Sequence, residues 1–387
     1  MSVLDDVLGG PEAIESLKEI IREQSGKSIA QALHREGLQR PLVIVDVRAQ
    51  ELEPTQEILE ALAPFSPAIY LDEHHPVSLD EVKEAGAVYL SEDCDGLVVI
   101  GSASTMDLGK ITGFLVANNV PWADVFYNPL TGRRIPLMVA VPTAPGGAES
   151  STEAFILDGA SETVRDISRP FLVPAVVCQD ERYLRLMPQE KLLGSLAGMW
   201  SILVELHLQG QTDGPGMHQV GTMIRGMLRG HRPDPEELWD LSLSMGQRYR
   251  TEGTSFLHGL CHVLTARTGA GHNRVLTLFL SDFLRYEMDH PELDVLAQKA
   301  GWKDEHQMFE DLEQLTRQAG GPQTVEAIRE QVRHELDLIA GQSAYSVPAQ
   351  ADYKGISPAE MKWLICEVLG IDPDAEEEVQ QRTVTHD

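Results

Sequence analysis

The sequence lacks several features that would each assign it to a class of protein. No apolar run approaches the roughly 20 residues that span a bilayer, and Met1–Asp6 lacks the basic and then apolar pattern of a signal peptide. The four cysteines, Cys94, Cys178, Cys261 and Cys366, are scattered and form no CxxC pair. We therefore expect a soluble, cytoplasmic protein with reduced, mostly buried thiols.

Basic residues are also scarce. The chain has 31 Lys and Arg against 60 Asp and Glu, which gives a formal net charge of −29. Nucleic acids and anionic membranes both attract basic surfaces, so the charge argues against either as a partner and leaves a small molecule. The remaining composition is that of an ordinary globular protein, with 42% hydrophobic and 24% charged residues. At 387 residues the chain is long enough for two domains with separate cores.

The order of predicted elements divides the chain near Pro188. Residues 1–187 alternate strand and helix patterns, which predicts an α/β domain with a largely parallel sheet. Residues 188–387 carry apolar residues at the helical period, which predicts an all-α domain. The predicted strands are 41–46, 68–71, 96–100, 137–141, 154–158 and 175–180. The predicted helices are 11–24, 28–36, 56–62, 189–208, 217–230, 235–250, 254–266, 272–287, 292–300, 305–319 and 322–340.

A loop of small residues follows the strongest of these strands. Gly96–Ile100 runs directly into Gly101–Ser104 and a helix, and the start of such a helix can bind a phosphate through backbone N–H groups and the helix dipole. Asp46 ends an earlier strand, where it could accept hydrogen bonds from a ribose and would repel a 2′-phosphate, which favours NAD over NADP. Taken alone, each signal more often marks a plain turn.

Three histidines stand close together in the second part, namely His258, His262 and His272. The first two are four residues apart, so on a helix they share one face, and His272 follows a turn at Thr268–Gly271. Two imidazoles brought together in this way can bind a divalent metal while the third acts on a substrate. The alternative is that they are ordinary core histidines.

Together these motifs resemble the iron-containing (group III) alcohol dehydrogenase family, which includes the maleylacetate reductases. Gly101–Lys110 is similar to the family pattern GGGSxxDxAK, and Val141–Ser150 is similar to PTTxGTGSE. The histidines have the family spacing of four and then ten residues. The resemblance covers nearly the whole chain. It implies the dehydroquinate synthase-like fold, with a dinucleotide-binding domain at 1–187, an all-α domain at 188–387, and a homodimer.

The resemblance also implies a site for NAD(H) and a metal site. The residues that would line the NAD(H) site are Asp46, Gly101, Ser102, Ser104, Asp107 and Thr143. His258 and His272 would be metal ligands, and His262 would lie near the substrate and the nicotinamide.

The metal site departs from the family pattern, in which a helix supplies an Asp and, four residues later, a His. Trp200 and Val204 stand at these positions and cannot donate to a divalent cation, so we do not expect bound iron or zinc. Glu205 and His207 are candidate substitutes, although a regular helix directs Glu205 about 100° away from Val204. Trp200 could fill the space of the metal or stack on a flat substrate.

The phosphate loop departs from the family as well. Ser102 and Ala103 replace the second and third glycines, and a Cβ there could block a pyrophosphate if φ is positive. Ala144 and Pro145 alter the second motif. Lys110 ends the first motif, and we expect it to support the loop or to make a surface ion pair, with a phosphate contact as the alternative.

Three functions remain open. The preferred one is an NAD(H)-dependent, alcohol dehydrogenase-like reductase that acts without metal on a small carbonyl, alcohol or activated enone. In it, His262 would be a general acid of near-neutral pKa, assisted by His258 or His272. The second is a metal-dependent alcohol dehydrogenase with replacement ligands. The third is a diverged member that has lost redox chemistry and does another reaction, or binds a ligand, at the same site.

Overall fold

The structure is a computed structural model that describes residues 17–73, 76–118, 133–158, 163–210, 214–249, 255–351 and 354–372. The chain divides into two compact units. The first unit comprises residues 1–199 and 231–252, and the second comprises residues 200–230 and 253–387. The domain boundary predicted near residue 188 stays a prediction.

A six-stranded parallel sheet forms the centre of the first unit. Its strands, in spatial order, are β1 (Glu19–Ile21), β8 (Val176–Cys178), β5 (Met138–Pro142), β4 (Gly96–Gly101), β2 (Pro41–Asp46) and β3 (Ala68–Asp72). A separate antiparallel pair consists of β6 (Glu153–Asp158) and β7 (Thr163–Ser168). Every residue of β2, β4 and β5 is buried, as expected of a parallel sheet covered on both faces.

Helices account for most of the remaining described residues. In chain order they are α1 (Ser25–Arg35), α2 (Glu53–Leu62), α3 (Leu79–Ser91), α4 (Ala103–Asn118), α5 (Glu181–Leu186), α6 (Gln189–Leu208), α7 (Gly214–Leu228), α8 (Pro235–Tyr249), α9 (Phe256–Thr268), α10 (His272–Glu287), α11 (His290–Lys299), α12 (Glu305–Gln318), α13 (Gly321–His334), α14 (Leu336–Ala344), α15 (Val347–Ala351) and α16 (Pro358–Leu369). None of the helices within the described residues is long and apolar enough to cross a membrane.

Two apolar clusters pack on opposite faces of the parallel sheet, because successive side chains of a strand point to opposite sides. Leu42 and Ile44 belong to one cluster, and Val43 and Val45 belong to the other. This double burial explains why the strands are continuous apolar runs in the sequence. The predicted fold class, an α/β part with a largely parallel sheet followed by an all-α part, is confirmed.

Two sequence predictions were wrong in detail. The helix predicted over 11–24 is contradicted at its described end, because Glu19–Ile21 pairs in parallel with β8. Residues 11–16 lie outside the described residues. In this strand Ile20 is exposed and Ile21 is buried, an alternation that suits an edge strand. The single helix predicted over 322–340 is two helices, since the chain bends at Glu335 (φ −114°, ψ 14°) between α13 and α14.

Candidate active site

The carboxyl ends of β3, β2, β4 and β5 lie side by side, and we call this the carboxyl edge of the sheet. Asp46 is in register with Asp72, and Gly101 is in register with Pro142. The chain runs from β2 outward to β3 and then returns to β4 on the other side of β2, so the strand order reverses between β2 and β4. In open α/β sheets, ligands bind outside the carboxyl ends at such a reversal.

The last residue of β4, where the loop of small residues begins, must be glycine. A Cβ added to Gly101 would lie 2.4 Å from Thr105 Oγ1. Thr105 is held there because its hydroxyl donates to Asp72 Oδ2 at 2.7 Å. The Gly101 backbone is held separately, since its carbonyl accepts a hydrogen bond from the Thr143 amide at 2.9 Å. Asp72 and Thr105 were not singled out from the sequence, although Asp72 ends an apolar strand in the same way as Asp46.

Ser102 and Ala103 are compatible with this loop. Neither residue has a positive φ, so the strain that a Cβ would cause at a left-handed position does not arise. α4 begins at Ala103, and its first turn leaves backbone N–H groups without intrahelical partners. Such a helix start at the carboxyl edge suits an anionic group.

Asp46 is paired with Arg48, a residue that the sequence analysis did not single out. The Arg48 side chain forms a fork on the carboxylate, with Nε 2.9 Å from Oδ1 and Nη2 2.7 Å from Oδ2. Arg48 Nη2 also lies 3.3 Å from Ser102 Oγ, so the side chain bridges the reversal point between β2 and β4. The Asp46 side chain is 3% exposed, whereas that of Arg48 is 50% exposed.

The side chains of Asp107 and Lys110, both on α4, are buried. Hydrogen bonds from Lys110 connect α4 to the start of β6. The Lys110 ammonium donates to Ser151 O at 2.8 Å, Ser151 Oγ at 3.0 Å and Glu153 O at 2.8 Å. Burial raises the pKa of Asp107 and lowers the pKa of Lys110, and each charge opposes the other shift. The alternative of a surface ion pair for Lys110 is wrong, because the side chain is fully buried, and its hydrogen bonds go to Ser151 and Glu153 and not to the phosphate loop that it was expected to support. The cofactor-binding role predicted for Asp107 stays a prediction, as does that of Ser104.

The loop at 143–150 is supported by α8. Ser242 Oγ accepts hydrogen bonds from the amides of Gly146 (2.8 Å) and Gly147 (3.0 Å) and donates to Glu149 Oε1 at 2.8 Å. Burial raises the pKa of Glu149. Gly147 has a φ of 85° and its backbone lies against Gly246. Ala144 and Pro145, which depart from the family's second motif, therefore directly precede residues that hydrogen bonds to Ser242 hold in place.

The structure brings the three predicted histidines together in the second unit. His258 and His262 lie on α9, which ends at Thr268 with Gly269 in the left-handed conformation (φ 69°), and α10 begins at His272. The ring centroids are 6.2 Å apart for His258 and His262, 5.5 Å for His258 and His272, and 5.1 Å for His262 and His272. We call these three side chains the histidine cluster.

Glu205 is the partner of His258. Its Oε1 lies 2.8 Å from His258 Nδ1 and accepts a hydrogen bond from Ser255 Oγ at 2.6 Å. Ser255 in turn caps the start of α9. With an ionised carboxylate, His258 donates from Nδ1 and its Nε2 becomes an acceptor. Glu205 was predicted only as a substitute metal ligand, although a glutamate within the apolar stretch of α6 was a signal for a buried polar contact.

Trp200 and Val204 are fully buried and fill the two remaining family positions with apolar atoms. Trp200 packs edge to face on Trp302 at 5.5 Å between ring centroids, and its Nε1 has no hydrogen-bond partner among the described residues. Over the part of the chain that the structure describes, no group of three or more His, Cys, Asp or Glu side chains is arranged to hold a metal ion. Apolar side chains at these two positions supply no ligand to a divalent cation.

The surroundings of the cluster disfavour charge on its imidazoles. The rings of His262 and His272 are half-buried. Desolvation, with a smaller effect of neighbouring imidazoles, lowers the pKa of His262 well below its ordinary value and that of His272 to about 3. The near-neutral pKa expected for His262 is therefore wrong. A neutral imidazole still has one N–H to donate.

Burial, and then the Glu205 carboxylate, raises the pKa of Cys261 well above its usual range, which disfavours the thiolate.

Comparison with known proteins supports the resemblance seen in the sequence. Residues 18–181 match the sequence model of the iron-containing alcohol dehydrogenase family. This match confirms the resemblance found in the motifs and supports an alcohol dehydrogenase-like oxidoreductase. A curated relative, 4-hydroxybutyrate dehydrogenase of Cupriavidus necator, is 26% identical over 278 residues, which is 66% of this chain and 72% of that protein.

Solved structures show the same fold along most of the chain. The iron-containing alcohol dehydrogenase of Thermococcus thioreducens has a TM-score of 0.75 at 16% identity and covers 92% of this chain and 99% of its own. The sulfoacetaldehyde reductase of Bifidobacterium kashiwanohense, solved in complex with NAD+, has a TM-score of 0.76 at 16% identity and covers 92% of this chain and 98% of its own.

Proposed function

We propose that this protein is a nicotinamide-dependent reductase of a small activated carbonyl or enone, and that it works without a metal ion. One observation carries the proposal. Two family ligand positions are occupied by packed apolar side chains, Trp200 and Val204, whereas the three imidazoles remain together and His258 is held by Glu205. Replacement of two ligands while the three histidines remain favours a site that uses hydrogen bonds in place of a Lewis acid.

The carboxyl edge supports a dinucleotide cofactor. Gly101 makes room for the Thr105 side chain, and the start of α4, whose N–H groups suit a phosphate, follows it at the strand reversal. When bound, reduced NAD supplies the hydride. The complex of the Bifidobacterium reductase with NAD+ supports the same cofactor here. Thr143, hydrogen-bonded to the Gly101 backbone, holds the neighbouring strand end in place.

The histidine cluster then orients and polarises the acceptor. His262 donates a hydrogen bond to the oxygen that gains electron density, and Glu205 fixes the tautomer of its neighbour His258. A neutral imidazole stabilises this oxygen less than a bound cation would. The substrate must therefore be activated already, as a conjugated enone or a 2-keto acid is. Short hydroxy acids such as 4-hydroxybutyrate are screened in the oxidative direction, with NAD+ as the hydride acceptor, because a relative is named for that activity.

A titration tests the proposal. Purified protein with measured iron and zinc content is titrated with NADH while nicotinamide fluorescence is followed, and the acceptor panel is then screened for NADH oxidation. We expect saturable NADH binding, substoichiometric metal, and turnover of an activated acceptor. Stoichiometric iron or zinc needed for turnover would favour the metal-dependent alternative. Absence of NADH and NADPH binding would reject the proposal and favour a member that has lost redox chemistry.

A further inference from the structure

The pairing of Asp46 with Arg48 changes what the end of β2 can recognise. An unpaired carboxylate at this position accepts hydrogen bonds from ribose hydroxyls and repels a 2′-phosphate. Here, both carboxylate oxygens of Asp46 accept hydrogen bonds from the Arg48 guanidinium, and Oδ1 also accepts from the Arg48 backbone amide at 2.9 Å. The negative charge is therefore balanced by a guanidinium within hydrogen-bond distance.

We propose that Arg48 makes this site accept the 2′-phosphate of NADP(H), so that the protein uses both NADPH and NADH. The inference rests on the proposed function and extends it to the choice of cofactor. It reverses the preference for NAD alone that Asp46 suggested from the sequence.

The placement of Arg48 supports this role. Its side chain is half exposed, while the Asp46 carboxylate beneath it is buried. Nη1 makes no hydrogen bond within the described residues, which leaves both of its N–H groups available as donors. A planar guanidinium binds phosphate oxygens through parallel hydrogen bonds.

The contact with Ser102 ties Arg48 to the phosphate loop. Nη2 lies 3.3 Å from Ser102 Oγ, so the guanidinium spans the gap between the end of β2 and the start of α4. Gly101 and the α4 start suit the pyrophosphate, and the adenosine ribose of a dinucleotide bound in this way faces the end of β2. Arg48 therefore stands where a 2′-phosphate would lie.

Asp46 and Asp72 hold the guanidinium in place. Asp46 is in register with Asp72 on the adjacent strand, and both carboxylates attract Arg48. A fork held by a buried carboxylate loses less side-chain freedom when a ligand binds than a mobile surface arginine does. The two carboxylates thus hold the guanidinium in a fixed orientation.

Equilibrium titration with NADH and NADPH tests the inference by binding alone. For the wild-type protein we expect Kd values for the two cofactors within about tenfold of each other, since each charge-assisted hydrogen bond to phosphate offsets the repulsion by Asp46. In Arg48→Gln, we expect the NADPH Kd to rise by at least about tenfold while the NADH Kd changes little. The ligands 2′,5′-ADP and ADP should show the same contrast without the nicotinamide.

Arg40→Gln is the matched control. Arg40 is also a half-exposed arginine paired with a single carboxylate, Glu92, but it precedes β2 and so lies at the opposite end of that strand. We expect this variant to leave the ratio of the two Kd values unchanged. Circular dichroism confirms that both variants are folded.

The outcomes separate the inference from the proposed function. If the wild-type protein binds NADH but not NADPH, or if Arg48→Gln leaves the ratio unchanged, Arg48 has no part in cofactor choice and the proposed function stands. If neither cofactor binds, both are wrong.

Discussion

Glu205 Oε1 lies 2.8 Å from His258 Nδ1, in a setting where the Glu205 side chain is 1% and the His258 side chain 6% exposed. Glu205 directly follows Val204, at which the family pattern places a metal-ligating histidine. The helix that would have supplied a ligand therefore supplies a carboxylate that orients an imidazole. This relationship underlies the first prediction.

Glu205→Ala should lower kcat by at least about tenfold, because removing the acceptor that fixes an imidazole tautomer impairs catalysis. The NADH Kd should not change, since Glu205 lies in the second unit and the proposed phosphate loop in the first. Glu205→Gln retains an oxygen that can accept from Nδ1, so we expect it to restore much of the activity. Steady-state kinetics with NADH titrations measure both quantities. Equal losses in the two variants would contradict a role that needs only an acceptor oxygen at this position.

His262→Asn should lower kcat by about 10²–10³-fold, the usual cost of losing one positioned hydrogen-bond donor to a developing oxyanion. NADH binding should persist. His306→Asn is the control, because His306 is an exposed histidine outside the cluster. A His262→Asn variant as active as the wild-type protein would remove His262 from the mechanism and leave His272 as the candidate donor.

Gly246→Ala should destabilise the first unit. Its Cβ would lie 2.0 Å from the Gly147 carbonyl and 2.2 Å from Ser150 Oγ, and overpacking of this kind costs about 1–3 kcal/mol. Gly341→Ala places the same methyl group in a helix where nothing lies within 4 Å, and we expect it to stabilise the protein by about 0.5–1 kcal/mol. Thermal unfolding of both variants decides the point. A lower Tm for Gly341→Ala than for Gly246→Ala would contradict the packing described here.

Asp180 should stabilise the protein above about pH 4. Burial alone would raise its pKa, but hydrogen bonds from Arg182 (Nη2 to Oδ2, 2.7 Å) and Ser25 (2.7 Å) outweigh burial and lower it. Because the folded-state pKa is the lower one, this stabilisation is present above the unfolded-state pKa and is lost as the pH falls through the folded-state pKa.

Asp180→Asn should therefore cost about 1–3 kcal/mol at pH 7. The difference from the wild-type protein should shrink as the pH falls below about 4. Urea unfolding at a series of pH values gives this difference directly. A constant difference across the acidic range would mean that the carboxylate charge contributes nothing.

Local sequence patterns were sufficient for most of the fold. The strands of the parallel sheet are buried on both faces, so they are continuous apolar runs that need no information from distant residues. The histidine cluster could also be predicted from the sequence, because residues four apart on a helix and a histidine after a short turn meet by local geometry. The strand β1 could not be predicted from local sequence, since its conformation depends on pairing with β8, more than 150 residues away.

The contacts of the candidate site depended on tertiary structure. Nothing near Asp46 in the sequence indicates that the Arg48 guanidinium folds back onto its carboxylate and extends to Ser102. The contact of Glu205 with His258 joins two helices that are separated by more than 50 residues. The low pKa of His262 has the same origin, because desolvation depends on what surrounds the ring and not on its neighbours in the chain.

The central claim, metal-independent reduction, is tested most directly by the rate of NADH oxidation with an activated enone or 2-keto acid before and after dialysis against EDTA. Iron and zinc are measured on the same samples. We expect the rate to be unchanged by chelation, with well under one metal ion per chain, and to gain nothing from added Fe²⁺ or Zn²⁺. A rate that EDTA abolishes and that Fe²⁺ or Zn²⁺ restores would contradict the claim.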